Sequence, residues 1–386
     1  MMETKTAGPG AFAALDLTRL PSPCFVVDEV RLEENLACLK QIADASGAQI
    51  LAALKAFSMW ELAGLNSRYL AGSCASGLWE AQLARAHYGG LLSTFSPAYR
   101  EAEIDQIADL SDHVIFNSPA QLDRFAGRAR AGGAEIGLRI NPELPLGEVA
   151  KYDPAAAGSR LGLPVSHWQP ELASRIDGLH IHSMCEQGLV PLQQLAAHIG
   201  PLLETVAGQI KWINLGGGHL ITRPDYDRDG LITLLQELAE QTAAQIMLEP
   251  GTALAFDAGI LVGEVLDVME NDGPVAILDI SATCHMPDVL EAPYRPALMQ
   301  EVAEGMEISL GGPSCLAGDM IGRYRLASRP APGIRLAFLD QAHYSMVKTT
   351  TFNGVQLPAL AVWNSNTDDL RIIREFTFED FAGRLS

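Results

Sequence analysis

The sequence predicts an α/β protein: an eight-stranded parallel (β/α) barrel followed by a C-terminal mainly-β domain. Three observations carry this. Eight short apolar stretches recur between Ile50 and Gly251. Helix-like amphipathic stretches lie between many of them. After about residue 260 the chain turns to strand-like runs separated by turns, and helical periodicity becomes scarce. Alternating strand and helix implies parallel strands, and eight such units suggest closure into a barrel.

Near the start, "PCFVVDE" reads as a strand that joins the later β region. The barrel strands are then "ILAALKAF", "YLAGSCAS", "GLLSTFS", "HVIFN", "EIGLRINP", "IDGLHIHS", "WINLGGG" and "QIMLEPG". Several finish in polar or glycine residues: Lys55, Ser73 to Ser76, Asn141, His182, Gly216 to Gly218 and Glu249. In such barrels the C-terminal strand ends carry the chemistry. The helices between them include "GLWEAQLARAHY", "SPAQLDRFAGRARA", "LVPLQQLAAHIGPLLETVA" and "LITLLQELAEQTA". Ser118 before Pro119 reads as an N-cap followed by proline at the first helical position. The second domain is expected from "ILVGEVLDVME", "PVAILDIS", "EISLGG", "IRLAFLDQAHY", "LPALAVWN" and "LRIIREFTF". These readings divide the chain into a barrel over 30–260 and a β domain over 261–386 that includes 1–29.

Composition bounds the function. A chain of 386 residues, 48% of them apolar, can bury two cores. A net charge of -20 argues against nucleic acid or an anionic membrane as partner, and is compatible with a cationic substrate. The N-terminal "MMETKTAGPGAF" lacks a basic stretch followed by an apolar one, so no signal peptide is expected. No run approaches the roughly 18 apolar residues of a membrane helix. The six cysteines are scattered, with no C-x-x-C pair, which fits free thiols in a cytoplasmic protein better than a disulfide framework or a zinc site.

Six segments hold residues with chemical potential, and each has more than one reading. Lys55 ends an apolar run. It is either a strand cap with its head in solvent, or an amine kept partly desolvated so that it can react covalently. "NLGGGH" at 214–219 is either a flexible turn or a place where backbone N–H groups converge on a phosphate. Glu249, fixed by Pro250 and Gly251, needs a partner inside a barrel mouth. Either a protonated pyridine nitrogen or an arginine such as Arg139 would serve. His180 and His182 alternate onto one strand face, which suits a metal, a flat cofactor ring, or satisfied core histidines. Cys315 in "GPSCLAGD" is either a proton donor or a small buried hydrophobe. "CHMPDVLEAPYRP" reads as a constrained polar loop that lines a site or simply covers the surface.

Taken as an ordered set, "ALKAF", "SCAS", "HIHS", "NLGGGH", "EPGTA", "CHMPDVLEAPYRP", "GPSCLAGD" and "AHYSMVKTTTFNG" resemble the fold-type III pyridoxal-phosphate decarboxylases, whose barrel is of alanine-racemase type. Within them, the set is most similar to the group acting on carboxynorspermidine and carboxyspermidine. The resemblance runs from about Pro23 to the C-terminus. It implies that Lys55 holds the cofactor covalently and that His182 stacks on its ring. Gly216, Gly217 and Gly218, with Tyr344, bind the phosphate, and Glu249 meets the ring nitrogen. Cys315 is offered to the active site of the partner in a homodimer. Asp288 anchors a substrate amine, with Glu291 as a second candidate, and Glu249 also lies against the substrate. Two departures weaken an ornithine or diaminopimelate substrate, the alternative reading. Those relatives carry an acidic residue where Leu316 stands and an arginine where Thr252 stands, so the phosphate must be held in another way.

Overall fold

The structure, a computed structural model, describes residues 2–3, 6–147 and 150–386. It divides into two compact units: Asn35–Leu254, and the N-terminal stretch up to Glu34 together with Ala255–Ser386. Residues 1, 4 and 5, expected within the β domain, lie outside the described residues.

Strand β1 (Cys24–Asp28) belongs to the second unit. The barrel follows with β2 (Gln49–Ala53), β3 (Gly72–Ala75), β4 (Leu91–Phe95), β5 (His113–Phe116), β6 (Glu135–Asn141), β7 (Gly178–His180), β8 (Trp212–Asn214) and β9 (Gln245–Leu248). All neighbours pair in parallel, and β9 returns to β2 through Leu248 and Ile50, so the ring closes. Closure leaves none of these eight strands as an open edge. The eight strands are the eight apolar stretches of the sequence. The expected helices Leu78–His87, Pro119–Ala131, Leu189–Val206 and Arg228–Thr242 are present. Ser118 caps as its sequence suggests, its hydroxyl accepting from the Gln121 N–H at 3.4 Å.

The barrel interior is filled by Leu51, Ile115, Trp212 and Met247. Trp212 explains two glycines on neighbouring strands. A Cβ on Gly137 or Gly178 would come within 2.5 or 2.1 Å of its ring. Its indole stacks on His113, with ring centres 4.4 Å apart, and donates to Glu135 at 2.9 Å.

The other unit is built on the long strand β10 (Gly259–Glu270). β10 pairs with β1, with β11 (Pro274–Leu278) and with β14 (Arg335–Leu339). β12 (Met306–Gly311) and β13 (Met320–Leu326) extend the sheet beyond β11, and β15 (Ala359–Asn364) and β16 (Asp369–Arg374) extend it beyond β1. Side chains alternate between two cores. Phe25, Leu261 and Phe338 enter one, while Cys24, Val26, Ile260 and Val262 enter the other. This is the period-two consequence of a sheet covered on both faces. Strand β13 was not anticipated, because "MIGRYRL" mixes glycine and two arginines with its apolar residues. The "CHMPDVLEAPYRP" segment, read as a loop, contains the short helix Asp288–Glu291 and the end of another, Ala282–His285. Ser281 caps Ala282–His285, accepting from the Cys284 N–H at 3.0 Å.

Candidate active site

In the barrel unit the site grows from strand register. Arg139, His180 and Asn214 are successive register partners on β6, β7 and β8, and Cys74 is the partner of Ala53 on β2. Register partners on parallel strands point to the same side, so these side chains share the barrel interior.

Lys55 stands two residues beyond β2 in a tight turn, exposed while Leu54, Ala56 and Phe57 are fully buried. The Leu54 N–H donates to the Cys74 carbonyl at 3.2 Å and fixes the turn. Glu249 follows β9 and is 5% exposed. Its Oε1 accepts from Asn214 Nδ2 at 2.7 Å, and its Oε2 lies 3.3 Å from His180 Nε2 and 3.9 Å from His182 Nδ1. Arg139 does not take the carboxylate, as one reading of Glu249 had allowed. Its guanidinium donates to the His182 carbonyl at 2.8 Å and lies 4.5 Å above the centre of the Phe95 ring.

Burial sets the charge states. It lowers the His180 imidazole below its usual pKa against the pull of Glu249. Burial and the Lys55 ammonium hold His182 well below its usual value. Burial would raise the Glu249 carboxyl, but the two imidazoles beside it outweigh that and keep it well below the usual carboxylate range. Burial, aided by the Glu249 charge, pushes the Cys74 thiol well up. The group therefore carries one negative charge, on Glu249, facing neutral imidazoles. It is the arrangement that would suit a cationic ring nitrogen.

The glycine run forms a close cradle. Gly216 and Gly218 have φ of +70° and +88°. A Cβ on Gly216, Gly217 or Gly218 would fall 2.6, 2.1 or 2.2 Å from His182, the Glu249 carbonyl or the Met184 carbonyl. Only glycine fits such positions. Asn214 Oδ1 receives the Gly216 N–H at 2.8 Å, and His182 Nδ1 receives the Gly217 N–H at 3.4 Å. Thr252 is buried and donates to Glu186 at 3.3 Å.

His180, His182 and Glu249 also bring three potential metal-donor atoms within 4.8 Å of one another. An amine at a strand end, a glycine cradle, a buried carboxylate and a flat imidazole together fit pyridoxal phosphate better than a metal ion.

The remaining candidates lie in the β unit. Cys315 is exposed, and its N–H donates to Asn353 Oδ1 at 2.8 Å. Asp288 pairs with Lys348 at 2.6 Å. Glu291 is exposed at the end of the same short helix. Tyr344 has φ +53° and lies under the Lys348 ammonium, 5.8 Å from the ring centre. The sequence reading missed four residues. Asn214 and Cys74 stand inside motifs it quoted, but only strand register shows that they face Glu249. Lys348 follows Tyr344 by four residues, a helical-turn spacing that offered a clue. Asp319 ends "GPSCLAGD", and nothing local indicates that it is buried.

The family described as "Pyridoxal-dependent decarboxylase, C-terminal sheet domain" matches residues 24–342. A carboxynorspermidine/carboxyspermidine decarboxylase of Campylobacter jejuni is 36% identical over 380 residues, covering 95% of this chain and 99% of the relative. A carboxyaminopropylagmatine decarboxylase of Synechocystis is 38% identical over 375 residues, covering 96% of each. Among solved structures, carboxynorspermidine decarboxylase from Campylobacter jejuni complexed with norspermidine superposes with a TM-score of 0.87 at 34% identity, covering 95% of this chain and 100% of that one. With the barrel, the sheet domain and the lysine–glycine–glutamate constellation already in place, these likenesses make the chain a member of the pyridoxal-dependent decarboxylases, a carboxy-lyase that uses pyridoxal phosphate.

Proposed function

We propose that the enzyme decarboxylates carboxynorspermidine or carboxyspermidine, releasing norspermidine or spermidine in polyamine biosynthesis. The observation that carries this is the near full-length likeness to a solved relative complexed with norspermidine. The Synechocystis relative supports a second reading, in which the substrate's far end is a guanidinium.

When bound, pyridoxal phosphate supplies an electron-poor ring that takes up the electron pair left by departing carbon dioxide. Lys55 holds the cofactor through its amine. The turn of Gly216, Gly217 and Gly218 and the Tyr344 hydroxyl would bind its phosphate, and His182 would lie against its ring. Glu249, oriented by Asn214, would hold a proton on the ring nitrogen and would also lie against the substrate. Cys315 returns a proton to Cα, with Lys55 as the alternative donor. Asp288, with Glu291 as a weaker candidate, binds a remote ammonium of the substrate, each charge-assisted contact being worth roughly 1.5–3 kcal/mol. Leu316 and Thr252 argue against ornithine and diaminopimelate.

Product identification tests the reading. The purified enzyme is incubated with both carboxy-polyamines, with carboxyaminopropylagmatine, and with ornithine, lysine and diaminopimelate. Norspermidine or spermidine as the dominant product supports it. Preferred release of cadaverine, putrescine or lysine would overturn it, and a dominant aminopropylagmatine product would establish the second reading.

A further inference from the structure

We propose that Lys348 is a tethered ammonium that occupies the substrate-amine position at Asp288 and competes with polyamine for it, weakening retention of substrate and product alike. This inference rests on the carboxy-polyamine reading above.

The β unit shows an ammonium already seated at Asp288. Lys348 Nζ lies 2.6 Å from Asp288 Oδ1 and 5.8 Å from the centre of the Tyr344 ring. A carboxylate and an aromatic face together form a receptor for a primary ammonium. Both sides of the pair are anchored through their backbones. The Lys348 N–H donates to the Tyr344 carbonyl at 3.1 Å, and the Thr350 N–H donates to the Cys284 carbonyl at 2.9 Å. Asp288 opens a short helix in which the Ala292 N–H donates to its carbonyl at 3.0 Å. What can move is the four-carbon stem of the lysine.

The pair is wet as well as close. The Asp288 and Lys348 side chains are 22% and 34% exposed. Ion pairs with this much water access are weak and exchange readily with a cation of the same kind. A polyamine that reaches Asp288 replaces one primary ammonium with another. The tethered group costs the free ligand a factor of one plus its own occupancy ratio. For a pair of this exposure that factor is about two- to five-fold. Asp288 stays paired when no ligand is bound, and the amine product, which keeps its remote ammonium, is more easily expelled.

The test is calorimetric titration of norspermidine into the holoenzyme and its Lys348→Met variant, which keeps the apolar stem and removes the charge. Binding should tighten about two- to five-fold, with KM for the carboxy-polyamine falling by a similar factor and the bound-cofactor absorbance unchanged. Lys348→Arg, which retains a cation beside Asp288, should show no such gain. In an Asp288→Asn background the methionine substitution should bring no gain either. Unchanged or weaker norspermidine binding in Lys348→Met overturns the proposal, as does tightening that persists without Asp288. A wild-type holoenzyme that neither binds norspermidine nor decarboxylates a carboxy-polyamine overturns the functional reading and this inference together. Normal turnover with an unresponsive Lys348→Met overturns only the inference.

Discussion

Asn214 divides one amide between two neighbours, accepting from the Gly216 N–H and donating to Glu249. It therefore couples the glycine turn to the Glu249 carboxylate. Asn214→Leu keeps the volume and removes both bonds. Losing a charge-assisted contact of roughly 1.5–3 kcal/mol should weaken cofactor retention about ten- to two-hundred-fold, read as cofactor absorbance lost on dialysis. Retention equal to wild type would remove Asn214 from the cofactor site. Lys55 has its own check. Borohydride reduction and peptide mapping should place a pyridoxyl group on Lys55, and a label on Lys151, Lys211 or Lys348 would sink that assignment. At this scale the sequence exposed residues whose chemistry is announced by their neighbours: a lysine after an apolar run, glycines in a row, a glutamate before Pro-Gly. It hid residues whose roles arise only when strands pair. Arg139, His180 and Asn214 become neighbours through parallel register, and no local pattern carries that.

Asp319 fixes the segment that carries Cys315. It is 3% exposed, accepts from Ser281 Oγ at 3.0 and 2.8 Å, and receives the N–H groups of Thr283 and Ser314 at 3.1 and 3.3 Å. One carboxylate thus ties the 312–319 turn to the helix Ala282–His285. Asp319→Ala would leave the buried Ser281 hydroxyl and the partly buried Thr283 and Ser314 N–H groups without their acceptor, the buried hydroxyl alone at about 1–3 kcal/mol. The expected result is a lower Tm, with faster amide exchange concentrated in 312–319 and 281–285. A variant with wild-type exchange there would show that the turn is held by other contacts, such as Asn353 on the Cys315 N–H. Elements with a full period were legible. Eight apolar stretches became eight strands, and Ser118 with Pro119 marked a helix start that the structure contains. The helices Ala282–His285 and Asp288–Glu291 span four residues each, little more than one turn, so no period could reveal them.

Stability against pH belongs to the whole molecule, because neutral imidazoles are buried in both units. Burial lowers His219 in the barrel unit and His285 in the β unit to about 4. His180 and His182 are lowered as well. In the unfolded chain these groups take up protons near pH 6.5, whereas the folded chain refuses them. The unfolded state then binds more protons, so stability falls as pH drops below about 6.5 and continues falling toward 4. A displacement from 6.5 to about 4 corresponds to roughly 3 kcal/mol for one such group at the acid limit. Urea midpoints should therefore decline between pH 7 and 5, and less steeply in His219→Leu. A flat profile over that interval would mean that the imidazoles gain their protons without unfolding.

The placement of Cys315 raises a question about assembly. Its thiol is exposed on the β unit, while Lys55 and Glu249 lie in the barrel unit. The expectation is a homodimer in which Cys315 serves the site of the partner subunit across a two-fold interface. A two-fold arrangement repeats that exchange, so each dimer would hold two composite sites. Complementation distinguishes this from a site built within one chain. Lys55→Ala and Cys315→Ala are each expected to be inactive alone. When mixed and allowed to exchange at equal amounts, half the dimers are mixed, and each mixed dimer regains one intact site of two. Activity should return to about a quarter of the wild-type value. Exchange must be shown separately, by mass labelling of one variant. Complete exchange with no recovered activity would place Lys55 and Cys315 of a working site on the same chain.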